Sequence, residues 1–129
     1  MTRSCRPAVG PASLLLLACL LLAPSPAAPH AIVLESSPVH DAVLERAPAQ
    51  VTLRFNSKIE KRFTRVTLTT GDHAPVTLPS GADDATGPDR LVIPLPHLEA
   101  GVYVLRYRVL AVDGHVTEGA LRFTVDTTR

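Results

Sequence analysis

Apolar and polar residues alternate through most of the chain after residue 30. In segment 50–55, for example, Val51, Leu53 and Phe55 point to one side of an extended chain and Thr52 points to the other. This period of two is typical of a strand with one buried face. Turn residues separate such segments, and we predict seven strands, at 31–36, 50–55, 64–70, 74–78, 90–95, 101–110 and 119–125.

The number and spacing of these strands predict an all-β fold, either a Greek-key β-sandwich or a small barrel. Only 56–63 has room for a helical turn, and the polar, turn-rich segment 79–89 is expected to be an exposed loop. The chain has three phenylalanines, two tyrosines and no tryptophan. The core is therefore expected to consist mainly of Val, Leu and Ile.

The start of the chain has a different composition from the rest. Arg3 and Arg6 precede an apolar run at 11–23, and small residues and prolines follow that run. These three parts are typical of a secretory signal. We therefore predict a signal peptide over 1–29 and a single exported domain over 30–129. The apolar run is shorter than the roughly 20 residues of a membrane span, which favours a leader over a membrane helix. The mature chain is expected to have no membrane segment.

Both cysteines, Cys5 and Cys19, lie in this leader, so the mature domain has no disulfide framework and no thiolate site. The sequence Leu-Leu-Ala-Cys at 16–19 leaves a lipoprotein anchored at Cys19 as an alternative. Removing Arg3 and Arg6 leaves 13 − 2 = 11 basic residues against 12 acidic ones, a formal charge of −1. Without a basic run, nucleic acid is excluded as a partner.

The last two predicted strands are joined by an Asp-Gly-His segment, 113–115. A two-residue loop would mix apolar and charged side chains on both faces of the hairpin. A three-residue loop formed by 113–115 instead places the apolar side chains of both strands on one face. Because a shift of one residue in the strand pairing moves every side chain of a strand to the opposite face, burial of the apolar side chains favours the longer loop. We therefore predict that Val112 pairs with Val116, with further pairs Tyr107–Leu121, Leu105–Phe123, Tyr103–Val125 and, on the solvated face, Arg106–Arg122.

In such a loop the side chains of Asp113 and His115 are able to converge, and Gly114 provides backbone freedom between them. An ordinary solvated turn is the alternative interpretation. His30 lies next to the predicted cleavage site, and a histidine at a free N-terminus chelates a metal through its α-amine and Nδ1. Three nitrogens and one carboxylate oxygen favour Cu(II) among first-row divalent ions. His30, Asp113 and His115 are therefore candidate ligands for Cu(II), and the solvated turn stays open as the alternative.

The opening 30–48 has a His-Ala start, a Ser-Ser-x-Pro stretch and an Ala-Pro pair, and 107–125 has an Asp-Gly-His, Gly and Phe-x-Val pattern. In these features the chain resembles the CopC family of periplasmic copper-binding proteins, and 51–68 resembles the second and third strands of that family, so the resemblance covers nearly everything after the leader. The resemblance implies an Ig-like or cupredoxin-like β-sandwich that binds Cu(II) in the periplasm through His30, Asp113 and His115. It also implies a CopD-like inner-membrane partner, which is expected to be a separate protein.

The chain departs from the family pattern in several ways. Asn56 and Ser57 stand where some members carry a glutamate, and the methionine-rich loop of other members is missing. Pro29 precedes His30 where alanine is usual, which leaves the mature N-terminus open. If the chain began at Ala28, the proline, which has no amide hydrogen, would block an amino-terminal chelate reaching His30.

Three functions remain to be weighed. We expect a copper-binding protein that sequesters or delivers the metal without catalysis. An Ig-like adhesion module, in which Asp-Gly-His is merely a loop, is one alternative. A copper monooxygenase with an N-terminal histidine is another, and the small core and the scarcity of aromatic residues argue against it.

Overall fold

The computed structural model describes residues 31–80 and 86–128, and these form two antiparallel-rich sheets packed face to face. One sheet has the order β1-β3-β6 and the other the order β2-β8-β7-β4-β5. The strands are β1 Val33–Ser37, β2 Ala42–Leu44, β3 Gln50–Phe55, β4 Arg65–Thr70, β5 Pro75–Val76, β6 Arg90–Pro94, β7 Gly101–Leu110 and β8 Val116–Val125. The prediction of an all-β sandwich is confirmed.

Alternate residues of the strands are apolar, and their side chains fill the space between the two sheets. Val51, Leu53 and Phe55 of β3 are buried, whereas the residues between them are partly exposed. They meet apolar side chains from the other sheet, including Leu105 and Phe123. Full burial of each such side chain stabilises the fold by about 1.5–3 kcal/mol. The core consists mainly of Val, Leu and Ile, as predicted, with Tyr103 stacked on Phe123 at 5.6 Å between ring centroids.

Six of the predicted strands recur: those at 50–55 and 101–110 have the predicted bounds, and the other four have ends shifted by one to three residues. The predicted strand at 74–78 is reduced to Pro75–Val76. The helical turn predicted within 56–63 is a single 3₁₀ turn, Lys61–Phe63. One strand escaped prediction: β2, three residues long, which pairs in parallel with β8 at the sheet edge. The predicted signal peptide 1–29, the lipobox cysteine Cys19 and His30 lie outside the described residues.

The register predicted for the final hairpin is wrong by two residues. Leu105 pairs with Leu121 and Tyr107 with Gly119, rather than with Phe123 and Leu121. A shift of two residues preserves the faces, because side chains alternate with a period of two. Leu121, Phe123 and Val125 are therefore buried, as predicted. The predicted Arg106–Arg122 pair does not form, since Ala120 stands opposite Arg106 and Val104 opposite Arg122.

Within the described part of the chain, none of the helical segments has the length and apolar character that crossing a bilayer requires.

Candidate metal centre

The hairpin between β7 and β8 ends in a three-residue loop formed by Val112, Asp113 and Gly114. The Ala111 N–H donates to the His115 carbonyl at 2.8 Å, and the Gly114 N–H donates to the Ala111 carbonyl at 2.9 Å. Gly114 has φ +91°, a left-handed conformation that glycine adopts without steric cost. A turn closed in this way, with glycine at its last position, is a common three-residue hairpin loop. The predicted loop length is thus correct, but the loop starts one residue earlier.

Asp113 and His115 lie side by side in this hairpin end. Asp113 Oδ1 accepts the His115 backbone N–H at 3.0 Å and lies 3.2 Å from His115 Nδ1. The Asp113 side chain is 28% exposed and that of His115 is 47% exposed, so a solute reaches both. The structure therefore brings together the two loop residues that the sequence singled out.

The surroundings of Asp113 keep its carboxyl group charged. The hydrogen bond from the backbone N–H of His115 lowers the pKa of Asp113, burial opposes this shift, and the His115 side chain lowers the pKa further. A hydrogen bond to the charged form favours that form. At neutral pH the loop thus presents an anionic oxygen donor beside an imidazole.

The contact with Asp113 also fixes the orientation of the imidazole. Because Nδ1 faces the carboxylate, Nε2 lies on the opposite side of the His115 ring. Metal-binding histidines commonly donate one ring N–H to a carboxylate, and this contact sets the tautomer and strengthens the other nitrogen as a ligand. Asp113 is suited to this positioning role as well as to binding a cation through its second oxygen.

The start of β1 is held by Asn56, which follows β3. The Asn56 side-chain oxygen accepts the Ile32 N–H at 2.8 Å, and the Asn56 N–H donates to the Ile32 carbonyl at 2.9 Å. Ala31, one residue earlier, is completely buried in the core. The chain is therefore fixed in place up to the first described residue.

The segment 56–59 connects this strand start to the hairpin loop. The Val112 N–H donates to the Lys58 carbonyl at 3.1 Å, and Ile59 forms an antiparallel bridge with Ala111. Ile32 and Val112 thus contact the same short segment through residues only two apart. The beginning of β1 and the Asp113–His115 pair lie at the same end of the sandwich.

The pair does not form a complete metal site by itself. Among residues 31–80 and 86–128, no group of three or more His, Cys, Asp or Glu side chains is arranged to hold a metal ion. The described residues supply one carboxylate and one imidazole. His30, the third predicted ligand, falls outside the described residues.

The remaining histidines lie elsewhere in the fold and have other contacts. His40 Nδ1 accepts the Arg122 N–H at 3.3 Å, and its Nε2 lies 3.4 Å from Asp41. His73 occupies the β4–β5 turn with φ +63°. His97 is 85% exposed and lies 3.5 Å from Glu99. None of the three lies beside the Asp113–His115 pair.

Sequence reasoning missed the role of Asn56. The sequence showed that Asn56 stands where some relatives have glutamate, and nothing in it identified Ile32 as the hydrogen-bond partner, 24 residues away. An Asn directly after an apolar strand is a weak signal, because Asn occurs in many turns without such a contact.

Comparisons with known proteins identify the family of the chain. The CopC domain profile matches residues 33–126. Protein YobA of Escherichia coli (strain K12) is 31% identical over 98 residues, covering 74% of this chain and 78% of YobA. The copper transport protein CutJ of Bacillus subtilis is 26% identical over 113 residues, covering 87% of this chain and 21% of CutJ.

Solved structures give the same result. CopC from Methylosinus trichosporium OB3b superimposes with a TM-score of 0.70 at 32% identity, covering 78% of this chain and 97% of that one. PcoC, a copper resistance protein from Escherichia coli, gives 0.64 at 26% identity, covering 74% of this chain and 99% of PcoC. Those two crystallised chains consist almost entirely of the matched region. The chain belongs to the CopC family, whose members include copper resistance and copper transport proteins.

Proposed function

We propose that the protein is a periplasmic Cu(II)-binding protein that sequesters or delivers copper as its cargo. The observation that carries the proposal is the Asp113–His115 pair, held at an accessible end of a CopC-family sandwich beside the start of β1. The metal is bound and released without catalytic turnover. The predicted leader 1–29 directs export.

The donor set fits a cupric ion. The region 30–129 has no cysteine or methionine, so it offers only nitrogen and oxygen donors. Such donors favour Cu(II), whereas Cu(I) prefers thiolate and thioether sulfur. His115 supplies an imidazole nitrogen and Asp113 a carboxylate oxygen, and the Asp113–Nδ1 contact orients the ring. The proposed third ligand is His30.

The tethering of Ala31 supports a role for His30. His30 is bonded directly to Ala31, and consecutive Cα atoms are about 3.8 Å apart. Ala31 is buried and directly precedes Ile32, which is hydrogen-bonded to Asn56. Asn56 begins segment 56–59, and this segment also binds the hairpin loop through the Lys58 carbonyl and the Val112 N–H. The covalent bond to Ala31 thus attaches the proposed ligand to the end of the sandwich that carries the Asp113–His115 pair.

Copper titration of the domain 30–129 tests the proposal. We expect one Cu(II) per chain, and at least tenfold weaker binding in His30→Ala, Asp113→Ala and His115→Ala, since even outer-shell changes commonly cost 10–100-fold. His97→Ala is the matched control because it removes an exposed histidine elsewhere. Unchanged affinity in both loop variants would overturn the proposal and favour an adhesion or interaction module.

The mature N-terminus decides how His30 contributes. A start at His30 provides an α-amine and Nδ1 in one chelate, whereas Ala28-Pro29-His30 blocks that chelate because proline has no amide hydrogen. Intact-mass spectrometry of the exported protein distinguishes these starts and also detects a lipid at Cys19. Nitrogen hyperfine structure in the electron paramagnetic resonance spectrum then counts the nitrogen ligands in each form.

A membrane protein is the proposed recipient or source of the copper. CutJ is more than four times longer than the region it shares with this chain, as that region is 21% of CutJ. We therefore propose a separate CopD-like inner-membrane partner. Co-purification of the copper-loaded domain with detergent-solubilised membranes, compared with the Asp113→Ala variant, tests whether such a partner recognises the loaded form.

A further inference from the structure

Arginines are concentrated on the outer face of the five-stranded sheet. Arg65 of β4, Arg106 and Arg108 of β7, and Arg122 of β8 occupy alternate positions whose neighbours along each strand face inward. All four are exposed. Arg62, in the 3₁₀ turn before β4, extends the row. We call these five residues the arginine face.

The charges on this face are incompletely neutralised. Arg65 stands directly opposite Arg108, an arrangement of like charges that destabilises a sheet. Arg106 stands between Thr67 and Ala120. Glu118 lies 3.1 Å from Arg108 and Asp41 lies 3.9 Å from Arg122. Over the residues that the structure describes, no carboxylate lies within 4.0 Å of Arg65 or Arg106.

Two open depressions run along the arginine face. One, of about 490 Å³, is lined by Arg65, Arg106 and Arg108. The other, of about 370 Å³, shares Arg65 and Arg108 and extends to Phe63 and Val116. Glu118 also lines the first depression. The two depressions adjoin at Arg65 and Arg108, and we call them together the trough, which has apolar side chains at one end.

The apolar end of the trough is exposed. Phe63 is 56% exposed and Val116 is 46% exposed. The Arg62 guanidinium lies 4.8 Å from the centroid of the Phe63 ring. Val116 directly follows His115, so this end of the trough adjoins the candidate metal centre.

We propose that the arginine face docks the domain on an anionic lipid surface. Guanidinium groups form bidentate hydrogen bonds with phosphate oxygens, and several arginines on one flat sheet face match a surface of phosphate headgroups. Peripheral membrane binding combines such attraction with insertion of exposed apolar side chains, which Phe63 and Val116 supply. An acidic protein segment is the competing occupant, but the wide spread of the arginines over β4, β7 and β8 matches a surface better than a single extended chain.

The formal charge of the domain after residue 29 is −1, so its net charge does not attract an anionic surface and the attraction must come from the local cluster of arginines. It does not depend on copper, so its failure and that of the proposed function are separable. Docking in this orientation places the loop that carries His115 close to the lipid.

Co-sedimentation of the domain 30–129 with vesicles tests the proposal. We expect binding to phosphatidylcholine vesicles that contain phosphatidylglycerol and little binding to phosphatidylcholine alone. Each arginine near an anionic surface contributes roughly a fivefold factor, so Arg65→Gln/Arg106→Gln should weaken binding by roughly thirtyfold. The control Arg46→Gln/Arg90→Gln removes the same charge from positions outside the trough and should bind like the unmodified domain.

Two further measurements complete the test. Raising the ionic strength from about 0.01 M to about 0.15 M shortens the screening length from about 30 Å to about 8 Å and should reduce binding sharply. Phe63→Ser should weaken the binding that remains. Equal losses in the two double variants, or equal binding to both vesicle types, would overturn the proposal. Binding to a polyglutamate peptide without binding to vesicles would also overturn it and identify an acidic polypeptide as the occupant.

Discussion

The contact between Gly119 and Tyr107 provides a quantitative test of how the final hairpin packs. The two residues are directly opposite each other in β7 and β8. A Cβ added at Gly119 would overlap the Tyr107 ring and hydroxyl, which lie across the glycine. The ring in turn packs edge-to-face on Phe55 of the other sheet, with centroids 5.9 Å apart and an interplanar angle of 79°. In Gly119→Ala, Tyr107 must therefore leave its position.

The cost of this displacement has two parts. Overpacking a well-packed region costs about 1–3 kcal/mol. Losing the aromatic pair with Phe55 costs a further 0.5–1.5 kcal/mol or so. We expect Gly119→Ala to lower the free energy of unfolding by about 1.5–4.5 kcal/mol. In a domain of about 100 residues, each kcal/mol corresponds to roughly 5 °C, so the melting temperature should decrease by roughly 7–22 °C.

A double-mutant cycle identifies the cause. Tyr107→Ala removes the obstructing ring, so Gly119→Ala should then cost less than about 1 kcal/mol. Gly114→Ala is the contrasting control, because an added Cβ there meets no atom within 4 Å and the cost comes only from its positive φ. Tyr107→Ala should leave the cost of Gly114→Ala unchanged. Denaturant unfolding of each variant gives these values, and a coupling below about 0.5 kcal/mol between positions 107 and 119 would refute the reasoning.

Three other predictions concern charge and the site. Arg54 donates a bidentate hydrogen bond to Glu35 at 2.7 and 3.0 Å and so lowers the pKa of Glu35 from 4.5. The stability that this pair contributes is therefore present above about pH 4.5 and is lost as the pH falls through the lowered pKa. In Arg54→Gln, the NMR titration of Glu35 should move back toward 4.5. Burial raises the pKa of Tyr107 above 10.0, so the free energy of unfolding should fall as the pH rises above about 10. In alkaline unfolding experiments, Tyr107→Phe should lose less stability over this pH range than the unmodified domain. Asn56→Ala removes the side-chain acceptor of the Ile32 N–H, a hydrogen bond worth about 1 kcal/mol. This variant should bind copper about fivefold more weakly in a chelator competition assay, and the control Arg54→Gln should bind copper like the unmodified domain.

The hairpin explains why the faces of the strands were predictable and their register was not. Burial requires Leu121, Phe123 and Val125 to point inward, and two registers that differ by two residues meet this requirement equally well. The choice between them depends on Ala111, whose N–H binds the His115 carbonyl and which also pairs with Ile59. Ile59 is 52 residues away, and no local pattern indicates that pairing.

Strand β2 was missed for a related reason. It has three residues, too few to establish an alternation, and Val43 at its centre is 53% exposed. Its position depends on pairing with β8 and on a turn in which Asp41 has φ +62° and its N–H donates to the Arg122 carbonyl. A non-glycine residue in the left-handed region is uncommon, so the sequence gives little reason to expect that turn.

The candidate site divides in the same way into a local and a non-local part. Asp113 and His115 are two residues apart, so the short loop alone brings their side chains within 3.2 Å, and the glycine between them was a usable signal. The approach of the β1 start to this loop depends instead on the two hydrogen bonds between Asn56 and Ile32 and on the bond from the Val112 N–H to the Lys58 carbonyl. Only one of these three bonds involves a side chain, that of Asn56, so the sequence gives little indication of the link. A family likeness at both ends of the chain could therefore suggest that the ends meet, and only the fold identifies segment 56–59 as the physical link between them.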